Sequence, residues 1–487
     1  MNLLLPDFIS LNQTAFVRGR SIIDNTLLAQ ELVKGYGRKN ISPRCALKVD
    51  LQKAFDSLNW DFISSILRAI GLPPIFTKWI ETCFKEARYS ISFNGSLIGY
   101  FKGQRGIRQG DPLSPILFVI AMNTLSKILN LAAARGNLDS IAEVTSVLNH
   151  FYVLSGLNLN VNKTEFYTAG IPDRTLDSIK SVTSFKQGFL PVRYLGVPLV
   201  TRKLTEKDCL PLYDNIIRRL HHWSGKILSY AGRLELIKTV LYNVVNFWNR
   251  QFILPQKVIN RLEQLFSRFL WKGNDTAAKG ARISWDRLCC PKSEGGLGLK
   301  NIHSWNKACM LQLIRKIMAG EGSLWVAWIH CYVIKNNDLN DINVNSSHSW
   351  TIRKLMKIKS EAYPKLTVGA TKIKDLWENI RVHRDKVFWH KVIWFPLHIP
   401  KLSIISWMAI LDRLPTRDRL IKMGIVTDSY CLGIQGFIGL LKLGRANSYF
   451  YHIEDRLECF HILHLGGEKQ KNFQQRNKND RPTSKGY

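Results

Sequence analysis

The stretch that decides the fold runs from Ala46 to Asp56 and reads Ala-Leu-Lys-Val-Asp-Leu-Gln-Lys-Ala-Phe-Asp. Its first half carries the apolar residues of a β-strand, and Asp50 follows where such a strand would be expected to continue. Burying an unpaired carboxylate beside an apolar strand is unfavourable. A bound metal ion would explain the position of Asp50, which is therefore a candidate metal ligand.

The bulk composition predicts a large, basic, globular protein. The chain has 487 residues, of which 46% are hydrophobic, and this length predicts two or three cores rather than one. Lys and Arg number 69 against 37 Asp and Glu, so the formal net charge is +32. Such an imbalance favours polyanionic partners through counterion release. Nucleic acid is the leading class of partner, with ribosomal, membrane and heparin surfaces as alternatives.

Targeting and redox features point to the interior of the cell. No N-terminal signal region is visible, and the most apolar run, Pro115–Met122, is too short to span a bilayer. Nine cysteines are scattered along the chain, which suits a reducing compartment and predicts no disulfides. We expect an intracellular protein outside the membrane, with the nucleus as one candidate location.

The residues after the opening strand predict an α+β arrangement. Apolar residues at helical spacing follow Asn59, a suitable N-cap, and this helix is expected to end at Gly71. A second helix is predicted through Phe76–Phe84. Alternating apolar residues then lead into Asn94-Gly95, the strongest short hairpin signal. Strand, helices and hairpin together predict a mixed sheet.

Two polar, basic loops are candidate ligand-binding segments. Gly103–Pro115 contains three glycines and two arginines and precedes a long apolar helix. Glycine lets the backbone approach a phosphate closely, and a helix N-terminus adds a positive dipole; an ordinary glycine-rich connection is the alternative. Earlier in the chain, Arg18 and Arg20 border a glycine turn. These two guanidinium groups could grip phosphates or could be solvated surface.

The remainder of the chain divides by composition. Residues 206–271 combine helical periodicity with interleaved basic and aromatic residues, which predicts an all-α domain. The aromatic side chains could form its core or could follow the backbone of a nucleic acid. Residues 334–348 are polar and predict a linker. An aromatic block at 387–420 predicts a small helical module. The Lys-, Asn- and Gln-rich stretch from Glu468 to Tyr487 predicts a disordered basic tail.

Four motifs, taken in order, resemble those of the reverse transcriptase of LINE-type (non-LTR) retrotransposons, the plant type in particular. They are Asn12-Gln-Thr-Ala-Phe-Val-Arg-Gly-Arg-Ser21, Lys48-Val-Asp-Leu-Gln-Lys-Ala-Phe-Asp56, Gly106-Ile-Arg-Gln-Gly-Asp-Pro-Leu-Ser-Pro115 and Tyr194-Leu-Gly-Val197. The resemblance covers most of residues 7–431. It implies an α+β right-hand polymerase fold with partial fingers, palm and thumb, followed by an α-rich connection region and a small helical C-terminal module.

The resemblance further implies RNA-directed DNA synthesis that depends on Mg²⁺. The expected partners are an RNA template with a DNA primer, or an RNA/DNA hybrid, and the oligomeric state is left open. Nucleotidyl transfer needs two divalent ions that clamp the attacking oxygen and the triphosphate, and Mg²⁺ takes carboxylate and carbonyl oxygens. By resemblance Asp50 is one metal ligand, assisted by the backbone carbonyl of Leu51, and the Phe55 ring excludes a ribose 2′-OH.

Further residues of the family pattern border the nucleotide and the primer. Gln109, Gly110 and Arg20 are expected at the incoming nucleotide. Lys163 matches a catalytic position near the departing pyrophosphate, where an ammonium could donate a proton or offset charge; a solvated surface lysine is the alternative. The expected primer and template contacts are Tyr194, Leu195 and Gly196.

One motif of the family is missing from this chain. It is a hairpin that bears Phe/Tyr-Ala-Asp-Asp, expected between the helix after Pro115 and residues 137–141. Gly136 instead runs directly into Asn137, and no Asp-Asp pair occurs anywhere in the sequence. Asp139 is a poor substitute because it is expected to start a helix. One carboxylate cannot hold two ions, which predicts a polymerase without activity.

Both ends of the family pattern also depart from expectation. The chain begins inside the fingers, so we expect the N-terminal endonuclease and the first finger segment to be absent. The zinc-binding module is degenerate, because Cys431-Leu-Gly-Ile434 stands where a Cys-x-x-Cys pair would be expected. Cys459, His461 and His464 offer soft ligands, although their chance occurrence is the favoured explanation.

These features predict five segments and three functional interpretations. The segments are partial fingers and palm (1–200), α-helical thumb and connection (201–335), polar linker and variable segment (336–386), degenerate zinc-binding module (387–434) and disordered basic tail (435–487). The leading interpretation is a pseudoenzyme with residual nucleic-acid binding. The alternatives are an active polymerase whose hairpin was lost through a gene-model error, and a non-functional pseudogene product whose unpaired strand edges aggregate.

Overall fold

The computed structural model describes residues 3–38, 41–135, 141–273, 281–320, 322–335, 342, 345, 348–362 and 372–414. The chain divides into two compact units, each built from three separate stretches. Unit one comprises Met1–Arg218, Leu241–Leu262 and Ile302–Arg381, and unit two comprises Arg219–Val240, Glu263–Asn301 and Val382–Tyr487. The predicted tail and much of the predicted zinc-binding module lie outside the described residues.

The first part of unit one alternates helices with short strands. In chain order its elements are α1 (Leu5–Phe8), α2 (Ile22–Leu32), β1 (Arg44–Lys48), α3 (Ala54–Ser57), α4 (Trp60–Ala69), α5 (Pro74–Lys85), β2 (Arg88–Phe93), β3 (Ser96–Lys102), α6 (Ser114–Ala134), α7 (Ile141–Ser155), β4 (Glu165–Ala169), α8 (Asp173–Thr183), β5 (Lys186–Gln187), β6 (Val192–Tyr194) and β7 (Val197–Leu199). The α+β class expected from the sequence is confirmed for this region.

The remaining described elements are helical. They are α9 (Leu210–Ser224), α10 (Tyr230–Leu236), α11 (Tyr242–Asn249), α12 (Gln256–Lys272), α13 (Trp285–Leu288), α14 (Ile302–Ala319), α15 (Leu324–Ile329), α16 (Trp350–Ala362), α17 (Ile373–Ile380), α18 (His390–Ile393) and α19 (Pro400–Ile410). The helical character predicted for residues 206–271 is confirmed, with breaks after Ser224 and at Pro255.

Helix α4 forms where its local signals predict it. The Asn59 side chain accepts hydrogen bonds from the backbone N–H groups of Asp61 and Phe62, which would otherwise lack partners at the first turn. Gly71 adopts φ +77° just beyond the other end, a conformation that favours glycine. The buried face of the helix carries Ile63 and Leu67.

The mixed sheet is present but excludes the predicted hairpin. Strand β1 pairs antiparallel with β4, so that Lys48 lies opposite Glu165, and β4 pairs in parallel with β5. Within the described residues β2 and β3 pair only with each other and form a separate two-stranded ribbon. Asn94 and Gly95 both have positive φ, as the predicted hairpin turn requires. The expectation of one sheet is corrected because the ribbon shares no strand with it.

A first core of unit one lies beneath β4 and the long helix α6. Phe151 and Phe166 are fully buried in it, together with Leu117 from α6. Helix α6 has 21 residues, and an 18-residue stretch of it has a mean hydropathy of 1.7, so by length and composition it could cross a membrane, as could the bent pair Ile302–Ala319 and Leu324–Ile334. This corrects the view that the apolar run is too short. Because α6 packs into the core, burial in protein also accounts for its composition.

A second core of unit one surrounds α14. Trp325 and Met310 are buried there, and Leu355 of α16 and Trp377 of α17 pack against the same cluster. Two stretches of the predicted linker and variable segment, α16 and α17, are therefore packed helices rather than a spacer, because they bury apolar residues against α14. The polar run 336–341 itself lies outside the described residues.

Unit two is built around Trp407 of α19. The Trp407 ring is fully buried, and its indole N–H donates to the backbone carbonyl of Gly295 at 2.9 Å. A Cβ at Gly296 would lie 2.0 Å from the backbone oxygen of Cys290, so the glycine-rich turn packs against the loop before it. Packing therefore explains Gly296, whereas Gly295 and Gly298 adopt φ +83° and +70°, conformations that favour glycine.

Candidate active site

Asp50 lies just beyond β1, in a loop that is held by main-chain hydrogen bonds. Its N–H donates to the Thr164 hydroxyl at 3.2 Å, and its carbonyl accepts from the Asn160 N–H at 2.8 Å. Leu51 forms an isolated antiparallel bridge with Leu159. The strand that was predicted to end at Asp50 ends two residues earlier, and the loop that follows β1 is aligned by the turn before β4.

Within the part of the chain that the structure describes, Asp50 does not belong to a cluster of metal ligands. Among the described residues there is no group of three or more His, Cys, Asp and Glu side chains that could hold a metal ion. Asp111, in the glycine-rich loop, uses its carboxylate to accept the backbone N–H of Leu113 at 2.8 Å. The residues described around Asp50 therefore do not fit a two-ion Mg²⁺ site. Gly136, Asn137 and Asp139 lie outside the described residues.

Phe55 is fixed at the start of the short helix α3. Its ring stacks on Phe118 of α6, with centroids 4.9 Å apart and planes inclined by 18°. Its carbonyl accepts a hydrogen bond from the Ile107 N–H at 2.7 Å. The loop after Asp50 and the glycine-rich loop are thus held side by side, and the Phe55 ring packs against the first core of unit one.

Gly106 permits this approach of the two loops. Its φ is +84°, and a Cβ there would lie 2.6 Å from the backbone oxygen of Asp56. The Gly106 N–H donates to Leu58, and the Gly106 carbonyl accepts from the Trp60 indole at 2.7 Å. Only glycine meets both the conformational and the spatial requirement at this position.

Gln109 and Gly110 lie on the exposed side of the same loop. Gly110 adopts φ +93° and has nothing near its Cβ position, so its backbone is open to a ligand. A cavity of about 170 Å³ adjoins the loop and is lined by Arg88, Arg108 and Asp111 among others. Two guanidinium groups against one carboxylate favour an anion. Arg88 was not predicted from the sequence, because nothing in β2 distinguishes it from a solvated arginine.

Arg20 is occupied by the main chain. Its Nη1 donates to the carbonyls of Ser10 and Gln13 at 2.6 and 2.8 Å, and its Nη2 donates to those of Pro6 and Ile9 at 2.9 and 2.7 Å. Each terminal nitrogen of a guanidinium carries two hydrogens, so all four are used. The structure places Arg20 as an organiser of the N-terminal loop, and no terminal N–H is left for a phosphate.

Lys163 is exposed at the turn that holds Asp50. Its N–H donates to the carbonyl of Asn160 at 3.0 Å, and the next residue, Thr164, contacts Asp50. The structure therefore brings Lys163 and Asp50 to one loop pair, as the site prediction requires. Its catalytic role remains a prediction.

The predicted primer contacts form a tight hairpin. Tyr194 of β6 pairs with Val197 of β7, and Leu195 and Gly196 between them have φ +49° and +86°. Burial raises the pKa of the Tyr194 hydroxyl. The described hydrogen bonds do not link this hairpin to the Asp50 loop, and its role in binding remains a prediction.

The described part of the C-terminal module shows histidines in structural roles. His390 Nδ1 lies 2.7 Å from the Val387 carbonyl, and His398 Nδ1 lies 2.6 Å from the Phe395 carbonyl. Cys431 of the degenerate Cys-x-x-Cys position lies outside the described residues, as do Cys459, His461 and His464, whose occurrence was attributed to chance.

Two protein families match parts of the chain. Residues 1–199 match the family described as reverse transcriptase (RNA-dependent DNA polymerase). Residues 372–435 match the family described as zinc-binding in reverse transcriptase. The chain thus contains a reverse transcriptase domain followed by a match to that zinc-binding domain.

Several curated proteins are similar to parts of the chain. The transposon TX1 uncharacterized 149 kDa protein of Xenopus laevis is 26% identical over 347 residues, covering 66% of this chain and 26% of its own length. The retrovirus-related Pol polyprotein from type-2 retrotransposable element R2DM of Drosophila melanogaster is 31% identical over 260 residues, 47% of this chain and 24% of its own. An Arabidopsis thaliana protein with a ribonuclease H name is 32% identical over 129 residues, 26% of this chain and 21% of its own. The chain therefore spans about a quarter of the length of these relatives.

Proposed function

We propose that this chain, which contains a reverse transcriptase domain, is a LINE-type retrotransposon protein that no longer polymerises DNA and that binds nucleic acid. Its ancestry as an RNA-directed DNA polymerase follows from the domain match and from its similarity to non-LTR retrotransposon polyproteins. The loss of activity rests on one observation. Asp50 belongs to no group of three or more His, Cys, Asp and Glu side chains that could hold a metal ion among the described residues.

The chemistry explains why an isolated Asp50 is insufficient. Reverse transcriptases use divalent ions, and nucleotidyl transfer requires two of them, clamped about 3.5–4 Å apart. Mg²⁺ needs several oxygen ligands in nearly octahedral geometry. In this proposal Phe55, Gln109 and Gly110 still border a nucleotide pocket, so that binding can continue without catalysis.

Charge supports the binding part of the proposal. The net charge of +32 provides long-range attraction for polyanions, without requiring base-specific contacts. An RNA template with a DNA primer, or the hybrid of the two, is the partner class that the reverse transcriptase match implies. We place the protein inside the cell, with the nucleus as one site, and infer a plant element as its origin.

Primer extension tests the loss of activity. The full chain is incubated with poly(rA), an oligo(dT) primer, dTTP and Mg²⁺ or Mn²⁺, beside an active reverse transcriptase as positive control. We expect no incorporation above background, and the Asp50→Asn variant should behave as the parent does. Template-dependent incorporation that Asp50→Asn abolishes would overturn the proposal.

Salt-dependent binding tests the retained property. We expect the chain to bind RNA and DNA of unrelated sequence, and we expect affinity to fall by about a hundredfold or more between 50 and 200 mM salt, as several phosphate contacts require. Binding that is insensitive to salt, or absent, would contradict it.

A second candidate is an active polymerase, and the abrupt junction of Gly136 with Asn137 favours it. In this case the genomic DNA between the two codons encodes an Ala-Asp-Asp segment. Sequencing that DNA and the spliced transcript decides between a true deletion and a gene-model error. The third interpretation, a pseudogene product, is tested by expression, since it predicts aggregation and no cooperative thermal unfolding.

A further inference from the structure

The β2–β3 ribbon carries a row of large, exposed apolar side chains. In its antiparallel register Tyr89 lies opposite Phe101, with ring centroids 6.0 Å apart. Ile91 lies opposite Ile98, and Phe93 follows on the same side because alternate residues of a strand share a face. We call this row of five residues the ring face. Apart from the half-buried Tyr89, each member exposes at least half of its surface. Contiguous apolar surface of this kind marks an interaction site.

A bulge in β3 brings an aromatic ring next to a guanidinium group at the base of the ribbon. Gly99 and Tyr100 lie between the paired positions on β3, where β2 has a single residue. Gly99 adopts φ +70°, and bulges re-aim the side chains next to them. The Arg88 Cζ lies 5.3 Å from the centroid of the Tyr100 ring. This cation–π contact holds the guanidinium and leaves its N–H groups able to donate.

A cavity of about 170 Å³ lies where the ribbon meets the glycine-rich loop, and Arg88 and Arg108 both line it. About 10–15 Å³ is enough for one water molecule, so this space admits a tetrahedral anion. Tyr89 lines the same cavity and is also the first residue of the ring face. The cavity and the ring face are therefore continuous.

The cavity has an excess of positive charge. Within the ranges that the structure describes, neither of its two guanidinium groups forms an ion pair or a hydrogen bond. Asp111, which also lines the cavity, already uses its carboxylate to accept the Leu113 N–H at 2.8 Å. Glu86, just before β2, is engaged by the Lys102 ammonium at 2.8 Å. An anion in the cavity would meet two guanidinium groups whose donors are unused, and such charge-assisted hydrogen bonds are strong.

The charge of the surrounding chain selects the occupant. Residues 88–110 contain four Lys and Arg residues and no Asp or Glu. A second copy of the ribbon would bring like charges together, whereas a nucleic acid offers phosphates for the cavity and flat bases for the ring face. Proteins that bind single strands combine basic groups with aromatic rings on which the bases stack. In a duplex the bases already stack on each other, so a single strand is the better fit.

We propose that the β2–β3 ribbon binds single-stranded nucleic acid, with a backbone phosphate between Arg88 and Arg108 and with bases stacked on the ring face. This site rests on the proposed nucleic-acid binding and gives it a location in unit one. Among the described residues that line the cavity, none is Asp50, Phe55 or Gln109, so the site is separate from the predicted nucleotide position. Binding at the ribbon does not require a metal ion.

The first experiment compares two double variants of the full chain. The site variant is Arg88→Gln with Arg108→Gln. The matched control is Arg38→Gln with Arg174→Gln, which removes the same charge from exposed positions of the same unit. Binding of fluorescent 20-nucleotide rU and dT oligomers is measured by anisotropy between 50 and 200 mM salt. We expect binding by the site variant to be weaker by about tenfold or more, with a salt slope reduced by about 0.7 for one phosphate contact. The control should lose less than about threefold.

A second pair of variants tests the ring face. Phe93→Thr removes a ring that exposes 67% of its surface, and the matched control Phe189→Thr removes one that exposes 77% elsewhere in the same unit. We expect Phe93→Thr to weaken oligomer binding by about fivefold or more, since each base stacked on a ring contributes to affinity. Phe189→Thr should change it by less than about twofold. Binding of a 20-base-pair duplex should be the same for Phe93→Thr and the parent.

Thermal unfolding of the free proteins separates binding from folding. All the substituted side chains are exposed, so the melting temperatures should stay close to that of the parent. If the double variant is unstable, Arg108→Gln alone repeats the test, with an expected loss of about threefold or more. Equal weakening by site and control variants, with the parent binding well, overturns the site alone. A parent chain that binds neither oligomer overturns the proposed function as well.

Two further measurements address other occupants of the ribbon. Sedimentation of the free parent tests for a second copy: a dimer that Phe93→Thr dissociates, with oligomer binding unchanged, would make the ring face a self-association surface and overturn the proposal. Inorganic phosphate at a concentration equal to that of the oligomer phosphates tests for a free-anion site. We expect it to leave the labelled oligomer bound, and its displacement would overturn the assignment to nucleic acid.

Discussion

Thr164 accepts the backbone N–H of Asp50 at 3.2 Å while its own side chain is completely excluded from solvent. The two residues are 114 positions apart in sequence, at the end of one strand and the start of another. The position of Asp50 therefore depends on pairing of β1 with β4 rather than on local sequence. This contact is independent of any metal and persists whether or not the site is active.

Thr164→Val should destabilise the fold. Valine has nearly the same shape as threonine but cannot accept the Asp50 N–H, which leaves a partly buried donor without its partner. We expect a loss of about 1–2 kcal/mol in the free energy of unfolding, measured by urea denaturation. Thr82→Val is the control, since the Thr82 hydroxyl bonds only within its own exposed helix turn. An equal loss in both variants would mean that the Asp50 contact is unimportant.

Arg20→Lys should lower the free energy of unfolding by more than is usual for an exchange of one basic residue for another. The guanidinium serves four backbone carbonyls of residues 6–13, and an ammonium has only three hydrogens and no planar fork. We expect a loss of at least about 2 kcal/mol, in line with hydrogen bonds from charged donors. Arg18→Lys, at an exposed position of the same loop, should change stability by less than about 0.5 kcal/mol. A nucleotide-binding role without a structural one predicts that both variants keep the parental stability.

Gly106→Ala and Gly110→Ala should differ although both glycines have positive φ. Either alanine meets conformational strain of about 1–2 kcal/mol. Only the Cβ at position 106 also meets the backbone oxygen of Asp56, at 2.6 Å. We expect Gly106→Ala to lose stability clearly beyond Gly110→Ala, by thermal unfolding of matched samples. Similar losses at both positions would show that the two loops do not pack as described.

Glu31→Gln should reveal a pH-dependent cost of burial. Ser349 donates its hydroxyl hydrogen to Glu31 at 2.8 Å, and burial raises the pKa of Glu31 from 4.5 to about 7. Because the folded state binds this proton more tightly than the unfolded state does, the parent protein loses stability as pH rises from about 4.5 through 7. Glutamine does not ionise, so the variant should be more stable at pH 8, by about 1–3 kcal/mol, and nearly equal to the parent at pH 5.

Urea denaturation at both pH values measures that difference. Glu86→Gln is the control. A hydrogen bond from Lys102 lowers the pKa of this exposed carboxyl, so the shift is opposite in direction to that of Glu31. It should bring no gain at pH 8. A pH-independent effect of Glu31→Gln would show that Glu31 is solvated in the folded protein.

Local elements of the fold could be predicted where the signals themselves are local. Asn59 caps α4 through contacts within three residues, and Asn94 and Gly95 turn the β2–β3 ribbon by their own backbone preferences. The sequence could not predict that the ribbon stays separate from the β1–β4–β5 sheet, because strand partners are selected by packing between distant segments. The same reason explains why helices α16 (Trp350–Ala362) and α17 (Ile373–Ile380), which follow a polar run, pack against α14.

The candidate site divides in the same way. Sequence alone determined the family pattern, the position of Asp50 after a strand, the glycine-rich loop and the missing Asp-Asp pair, because motifs and charge are properties of the order of residues. Tertiary structure decided that the Arg20 guanidinium bonds to main-chain carbonyls and that the Phe55 ring stacks on Phe118. Such roles depend on which groups come into contact in the folded chain. The free-energy cost of burying a charged group likewise arises only once folding has removed it from water.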